Sequence, residues 1–459
     1  MLHWITDAIR YIDYATLLYI ISVDAIYLIQ LISAFFGLRS YIKMCQYGDF
    51  RRYLDSENMI PISLIAPAYN EEKLIVDNVE SLLALDFPEY EVVVVNDGST
   101  DKTLEILKKR FDLLQTDEPF RKSIETAPIR ATYRSQTCPN LVVLDKENGG
   151  KSDALNAGIN TAAYPVFVSI DADSILERQS LIKIIMPFVK DSSVIGVGGI
   201  VRIANPKDIK NGQITNITLT KNPLLSLQVV EYLRAFLTGR IGFDNLDLLL
   251  IISGAFGAFK KEAVIAVGGY TKDTIGEDME LVVKLHRHFA RKGSDYKIQF
   301  LSDPVCWTEA PDNMRDFFAQ RRRWHIGLMD TLFRHKDMVF NREYGRIGLV
   351  ALPYYWMFEL LGPVVETVGY LFVLLSWVLG LINFSFVVMF FAVAVLYGTM
   401  LSIGALILEE NTFKKYPSIS QLAVLVFYSF VDNLGYRQLN SLIKVIAALS
   451  YKRAKHSWS

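Results

Sequence analysis

Two apolar patterns divide the chain. The first is long and nearly unbroken. "ATLLYIISVDAIYLIQLISAFF" (Ala15 to Phe36) is long enough to cross a bilayer, and Asp24 is its one charge. After Gly345 the chain becomes apolar again. Leu349 to Gly369 carries Glu359, Glu366, Pro353 and Pro363 and reads ambiguously, whereas Tyr370 to Leu408 is about twice a single span. Gln421 to Tyr436 follows, interrupted by Asp432. This pattern predicts one N-terminal span, two or three C-terminal spans and one ambiguous segment.

The second pattern fills residues 60 to about 330. Short Val/Ile-rich runs alternate with stretches of helical period: "ISLIAP", then "EEKLIVDNVESLLAL" with Leu74, Val79, Leu82 and Leu83 on one face, then "EVVVVNDGS", "DKTLEILKKRF", "NLVVLDKENGG", "KSDALNAGINTA" and "VFVSIDADS". Strand–helix alternation with near-continuous apolar strands predicts an α/β domain with a mostly parallel, Rossmann-like sheet covered on both faces. Residues 112 to 140 and 205 to 222 read as polar insertions without period. Ligands of such sheets bind beyond the carboxyl ends of the strands, where the polar clusters fall.

Charge sets the orientation. Arg39, Lys43, Arg51 and Arg52 follow the first span, and Arg334, His335, Lys336, Arg342 and Arg346 precede the later ones. Both flanks face the middle domain, which should therefore be cytoplasmic. The basic tail "YKRAKHSWS" asks for an even number of later crossings or a re-entrant last element. No cleavage site of signal-peptide type follows the first span. The domains expected are 1–50 (amphipathic start and span), 51–330 (cytoplasmic catalytic domain), 331–348 (amphipathic interface helix) and 349–459 (membrane helices and basic tail). A net charge of −1 gives no pull toward nucleic acid. Cys45, Cys138 and Cys306 form neither a zinc spacing nor a disulfide framework, which fits a reducing compartment.

The chemistry lies at the strand ends. In "SIDADS", Asp171 and Asp173 are two residues apart and aim at one spot if extended. Such crowded carboxylates want a hard divalent cation, Mg²⁺ or Mn²⁺, which borrows phosphate oxygens; the bland alternative is a solvated loop. Asp97 follows a strand and suits a nucleoside, or merely caps a helix. "NGGKSDALN" joins a glycine turn, Lys151 and a helix start, which suits phosphate oxygens, or is a turn capped by Ser152. Glu277 and Asp278 open a helix, as dipole complement or as a general base. "QRRRWHIGL" sets Arg321 to Arg323, by themselves a membrane-surface basic patch, beside Trp324, a flat face for a sugar; with a diphosphate nearby Arg323 is better read as a clamp for developing negative charge.

In this order, between membrane spans, Asp97, Asp171-Ala172-Asp173, Gly276-Glu277-Asp278 and Gln320-Arg321-Arg322-Arg323-Trp324 resemble the motifs of the inverting family 2 glycosyltransferases, narrowly the membrane-embedded processive synthases of cellulose, hyaluronan, chitin and poly-N-acetylglucosamine. "PAYNEE", "GGKSDALN" and "SGAFGAF" are similar too. The resemblance implies a GT-A fold, a UDP-sugar donor, a growing polysaccharide acceptor and the bacterial inner membrane. It implies that Ala66, Tyr69, Glu71 and Asp97 hold the nucleoside, with Lys151 and Asp171 near uridine and diphosphate. Asp173 with Asp171 would bind the metal and Asp278, beside Glu277, would be the base. Ser253, Gly254, Gln320, Arg323 and Trp324 would line the acceptor and diphosphate end. It leaves room for an accessory export or regulatory subunit. Gly276 departs from the usual threonine. Glu359, Glu366, Tyr354, Tyr355 and Trp356 are expected linings of a channel, or for the aromatics an interfacial belt. The competing readings are a non-processive enzyme adding one sugar to a lipid, and an inactive membrane scaffold.

Overall fold

Alternate residues of the central strands enter opposite apolar layers. Ile62, Leu64 and Ala66 of β1 (Ile62–Ala68), and Val92 and Val94 of β2 (Tyr90–Asp97), pack into one core; Ile65, Val93 and Val95 pack into the other. A strand whose neighbours all point into apolar layers must be apolar on both faces, which is why these runs show no alternation. The computed structural model describes residues 2–47, 59–117, 122–171, 174–204, 209–210, 213–214, 219–382, 384–413 and 418–457.

The remaining strands are β3 (Leu113–Thr116), β4 (Ile129–Ser135), β5 (Leu141–Lys146), β6 (Val166–Ile170), β7 (Ile175–Leu176), β8 (Val194–Ile203), β9 (Ile209–Lys210), β10 (Gln213–Ile214), β11 (Phe256–Lys260) and β12 (Lys297–Thr308). Among the described residues the main sheet has 10 strands in the order β3-β4-β5-β2-β1-β6-β11-β8-β12-β7, and β9 and β10 form a separate ribbon. Its centre, β5-β2-β1-β6, is parallel, and strand order reverses at β1. The flanks depart from the expected parallel pattern: β11 runs antiparallel to both β6 and β8, and β3 and β4 add an antiparallel edge. That edge is built from part of the stretch read as a polar insertion. Edge strands bury little, so residues such as Leu114 and Arg130 leave no apolar run to read.

Helices cover the sheet. α1 (Leu2–Tyr47) opens the chain; α2 (Ile75–Leu83), α3 (Thr103–Arg110), α4 (Lys151–Thr161) and α5 (Ser180–Lys190) follow successive strands. α6 (Pro223–Tyr232) continues through a π-helical stretch, Leu233–Gly239, into α7 (Arg240–Asp244). α8 (Lys261–Ala266), α9 (Glu277–Arg291) and α10 (Met314–Arg334) complete this part.

Among the described residues three helices are long and apolar enough to cross a membrane: Tyr11–Lys43 within α1, α11 (Ile347–Val378) and α12 (Phe384–Thr412). The ambiguous segment and the first half of the double-length run are thus one helix, α11. A turn at Gly380, whose φ of +67° favours glycine, separates it from α12. Leu371, Leu374, Trp377, Val378 and Met400 stay exposed on these helices, as lipid contact requires. α13 (Ile419–Val431) ends at a non-helical kink, Leu434 and Gly435, before α14 (Arg437–Ser457). The expected interface helix over 331–348 is absent as such: α10 stops at Arg334, and two 3₁₀ turns, Lys336–Met338 and Arg342–Tyr344, lead to α11. α1 packs against α7, α11 and α12, and α14 lies on α10 and α11, so the catalytic and membrane parts share one packed junction.

Candidate active site

The carboxyl ends of β1, β2, β5 and β6 carry the expected polar groups, and a cavity of about 1150 Å³ opens above them. Tyr69, Glu71, Asp97, Lys151, Asp171, Ser253, Gly254, Glu277, Asp278, Gln320, Arg323 and Trp324 all line it. Ala66 does not. It still lies inside β1 and is buried in the apolar layer, so only the strand's last residues, Pro67 and Ala68, reach the cavity. Asp173 lies outside the described residues.

The loops after β1 and β2 hold each other. Asn70, in the left-handed region at φ 57°, accepts from the Thr100 N–H at 2.8 Å, and the Glu71 N–H donates to Thr103 Oγ1 at 2.9 Å. Burial, then the charge of Asp101, raises the Glu71 carboxyl above its ordinary pKa. Asp97 pins the glycine loop. Its Oδ1 accepts from Gly149 N–H at 3.0 Å and its Oδ2 from Gly150 N–H at 2.8 Å, while Lys146 Nζ lies 2.5 Å from Oδ1. Lys146 is fully buried between Asp97 and Asp153, and Asp153 also pairs with Lys272 at 2.6 Å. Nothing in the sequence marks Lys146; its role arises because β5 lies beside β2. Gly150 caps α4 at φ +83°, and Ser152 makes no capping bond.

Opposite this loop sit the acids. Lys151 Nζ is 2.5 Å from Asp171 Oδ1 and 3.3 Å from Glu277 Oε1. Burial would depress the ammonium, but Asp171 and then Glu277 overrule it and hold its pKa well above the ordinary lysine value. For Glu277, burial raises the carboxyl, Lys151 opposes, and Asp278 adds to the rise. Asp278 Oδ2 accepts from the Gly254 N–H at 3.2 Å and Oδ1 from the Met279 N–H at 2.7 Å, so the base candidate is oriented by the "SGAF" loop. Among the described residues no three His, Cys, Asp or Glu side chains gather as a metal site. A hard cation would fit Asp171 only with Asp173, water and donor phosphates completing its shell.

The three arginines of α10 separate in space. Arg321 is buried and pairs with Glu231 Oε2 at 2.7 Å, its guanidinium 4.3 Å from the Trp324 ring centre. The Tyr436 hydroxyl donates to the same Glu231 oxygen at 2.6 Å, tying α6, α10 and the start of α14 together. Arg322 Nε donates to Ser450 Oγ at 3.3 Å. Arg323 is exposed and lines the cavity. Trp324 stands beside Tyr232 and Phe236, ring centres 6.4 and 6.2 Å away. Arg240 stacks on Phe236 at 4.1 Å, and its Nη1 is buried without a hydrogen-bond partner. Sequence reasoning missed Tyr232, Phe236 and Arg240. Their spacing of four residues is a helical signal, but Phe236 lies in the π-helical stretch, a local irregularity that frequently marks function.

The cavity continues between the membrane helices, lined there by Tyr27, Tyr354, Tyr355, Glu359, Glu366, Arg437 and Lys444. Trp356 is not among the lining residues; it packs against Phe333, ring centres 5.3 Å apart. Arg437 pairs with Glu366 at 2.5 Å and Arg234 with Asp432 at 2.5 Å, which neutralises these buried acids.

A nucleotide-type crevice, an acid pair at a helix start and an arginine–tryptophan helix share one cavity, the arrangement a glycosyl-transfer site requires. Comparison with known families agrees. The profile described as "Glycosyl transferase family 2" matches residues 63–268, and that described as "Glycosyl transferase family group 2" matches residues 166–406, more than half of the chain. The chain belongs to the family 2 glycosyl transferases. Its sequence relatives are of the polysaccharide-synthase type: poly-beta-1,6-N-acetyl-D-glucosamine synthases of Staphylococcus epidermidis and Staphylococcus aureus are each 29% identical over 276 residues, 60% of this chain. The match spans only 56% of those relatives' length. Among solved structures, a mannosyltransferase from Pyrobaculum calidifontis in complex with GDP-Man and Mn²⁺ superposes with a TM-score of 0.50 at 18% identity, over 90% of this chain and 99% of that one. That likeness establishes the shared GT-A fold.

Proposed function

We propose that this protein polymerises a sugar from a UDP-sugar donor into a β-linked polysaccharide and passes the product across the membrane. The observation that carries this reading is the continuity of the cavity from Asp97 and Lys151, past Asp278 and Trp324, to Glu366 and Lys444 between the membrane helices. An enzyme that adds one sugar to a lipid needs no polar passage of that length. The relatives' printed activity favours N-acetylglucosamine as the sugar.

In this reading Asp278, held by Gly254, takes the proton of the acceptor hydroxyl. That oxygen forms a bond to the anomeric carbon from the face opposite the diphosphate, the bond to the phosphate oxygen breaks, and the configuration inverts. Lys151 and Arg323 supply positive charge where the diphosphate leaves. Trp324 and its aromatic neighbours support the acceptor sugar. A bound Mg²⁺ or Mn²⁺, on Asp171 and Asp173, would neutralise the leaving group; the Mn²⁺ in the mannosyltransferase complex is in keeping with this. The positive flanks of the first span and of α11 support a cytoplasmic catalytic domain at a bacterial inner membrane.

Screening UDP-sugars for nucleotide release by the purified protein, with Mg²⁺ or Mn²⁺ and with EDTA, tests the donor and metal. Sizing the product tests the rest. Long polymer supports the reading; a single-sugar lipid selects the simpler enzyme; no transfer with any donor rejects both.

A further inference from the structure

Gly276, at the N-cap of α9, touches Gly327 of α10 backbone to backbone. A Cβ added at Gly276 would lie 2.9 Å from the Cα, C and O of Gly327; one added at Gly327 would lie 2.9 Å from Gly276 Cα and 3.0 Å from its N. Carbon atoms pack comfortably at about 3.5–4.0 Å. Neither side has a flexible atom that could yield, because both contacts are main chain. Gly276 has φ −114°, which any residue adopts, so it is the space and not the backbone conformation that demands glycine.

The contact sits at a meaningful point. Gly276 immediately precedes Glu277 and Asp278 at the start of α9. Gly327 is three, four and seven residues beyond Trp324, Arg323 and Gln320 in α10, so it shares their helical face. One face of α10 therefore meets the cavity through the clamp and the tryptophan and meets the acid-bearing helix through Gly327. Asp278, two residues after Gly276, lines the cavity with its carboxylate held by the Gly254 and Met279 N–H groups. Its separation from Arg323 and Trp324 follows from how closely the two helices approach.

We propose that Gly276 and Gly327 are positioning residues, a glycine–glycine contact that fixes the distance between the base and the acceptor and diphosphate groups of α10. The proposal rests on the glycosyl-transfer reading above. A methyl group at either position separates the helices by about half an ångström or more, since 2.9 Å must open to about 3.5 Å. Misplacements on the order of 1 Å cost catalysis about 10²-fold. The nucleotide end, built on Asp97, the Gly149-Gly150 loop and Lys151, lies on other elements and is tied to this contact through the Lys151–Glu277 pair at 3.3 Å, the weaker of the two ion pairs of Lys151.

The test uses Gly327→Ala and Gly276→Ala in the full-length protein. Alanine favours helix more than glycine, so Gly327→Ala does not endanger α10 by propensity. The expected result is a kcat for sugar transfer lowered tenfold or more, with UDP affinity within about twofold of wild type and a melting temperature lowered by no more than a few degrees, the cost of the added methyl group. Wild-type kcat in Gly327→Ala overturns the proposal. So does parallel loss of kcat, UDP affinity and melting temperature, which would mean a merely structural contact. If the wild-type protein itself transfers no sugar, it is the functional reading that fails.

Discussion

Lys151 Nζ lies 2.5 Å from Asp171 Oδ1, which makes a lysine of the glycine loop the counter-ion of the acid that follows β6. The same ammonium reaches Glu277 at 3.3 Å, so donor-side and base-side carboxylates are held by one cation. Replacing Lys151 with methionine leaves these acids to repel one another and removes a charge from the leaving group. Transfer should fall roughly 10²-fold, in the range of losing one such electrostatic group, in a radiolabelled sugar-incorporation assay. Since Lys151 titrates above the ordinary lysine value, its charge should persist throughout the alkaline range, and no activity should be lost there on its account.

Asp278→Asn keeps the shape of the side chain, and its one amide oxygen can accept from either the Gly254 or the Met279 N–H but not both, and it cannot take a proton. Polymer formation should drop by roughly 10² to 10⁴-fold, the usual worth of a general base. UDP binding by calorimetry should stay near wild type. Full polymer yield would show that another group is the base.

Arg321 and Arg323 should part company on substitution. Arg321→Ala strands Glu231 in a largely buried network, a loss on the order of 3–5 kcal/mol, visible as a lower melting temperature in detergent. Arg323 is exposed on the cavity wall. Arg323→Ala should leave melting unchanged while nearly abolishing transfer.

His286 is buried, its Nε2–H directed at the Leu249 carbonyl at 2.8 Å and its Nδ1 facing the Tyr296 hydroxyl at 3.0 Å. Burial, opposed weakly by that carbonyl, pushes the imidazole down to about 4 from 6.5. The folded value is the lower one, so the stabilisation from keeping His286 neutral is complete above pH 6.5 and lost as pH falls through 4. It amounts to roughly 3 kcal/mol. His286→Gln should flatten that part of the pH–melting curve relative to wild type; identical curves would show that other groups set the acid limb.

Chelation gives a separate check on the cation. EDTA should stop transfer and Mn²⁺ or Mg²⁺ restore it, while Asp171→Ala should need a higher metal concentration for half-maximal rate. Unchanged activity in EDTA would remove the metal from the reading.

Much of the fold was legible because it is local. The runs at 62–68, 90–97, 141–146 and 166–170 are strands, as their apolar character requires, and α4 begins at the glycine turn. Asp97, Lys151, Asp171, Glu277 and Asp278 meet in one cavity because each ends or follows a strand or opens a helix on the same side of the sheet, whereas Gln320, Arg323 and Trp324 reach it from the middle of α10. Ala66 lies inside β1 in the apolar layer, while Pro67 and Ala68 line the cavity, because only the packed sheet shows where a strand stops being core. The antiparallel edge of β3 and β4 was illegible, since edge strands exposed to solvent need no apolar period.

The sequence by itself determined the alternation of strands and helices, the apolar spans and the identity of the acids, because hydrophobic period and side-chain chemistry are properties of neighbours in the chain. Only the tertiary structure decided which arginine is buried and which faces the cavity, that Lys146 sits beneath Asp97, and that Gly276 meets Gly327. Each of these depends on two backbones separated by tens of residues arriving within a few ångströms. Packing sets that distance, and nothing in a local pattern encodes it.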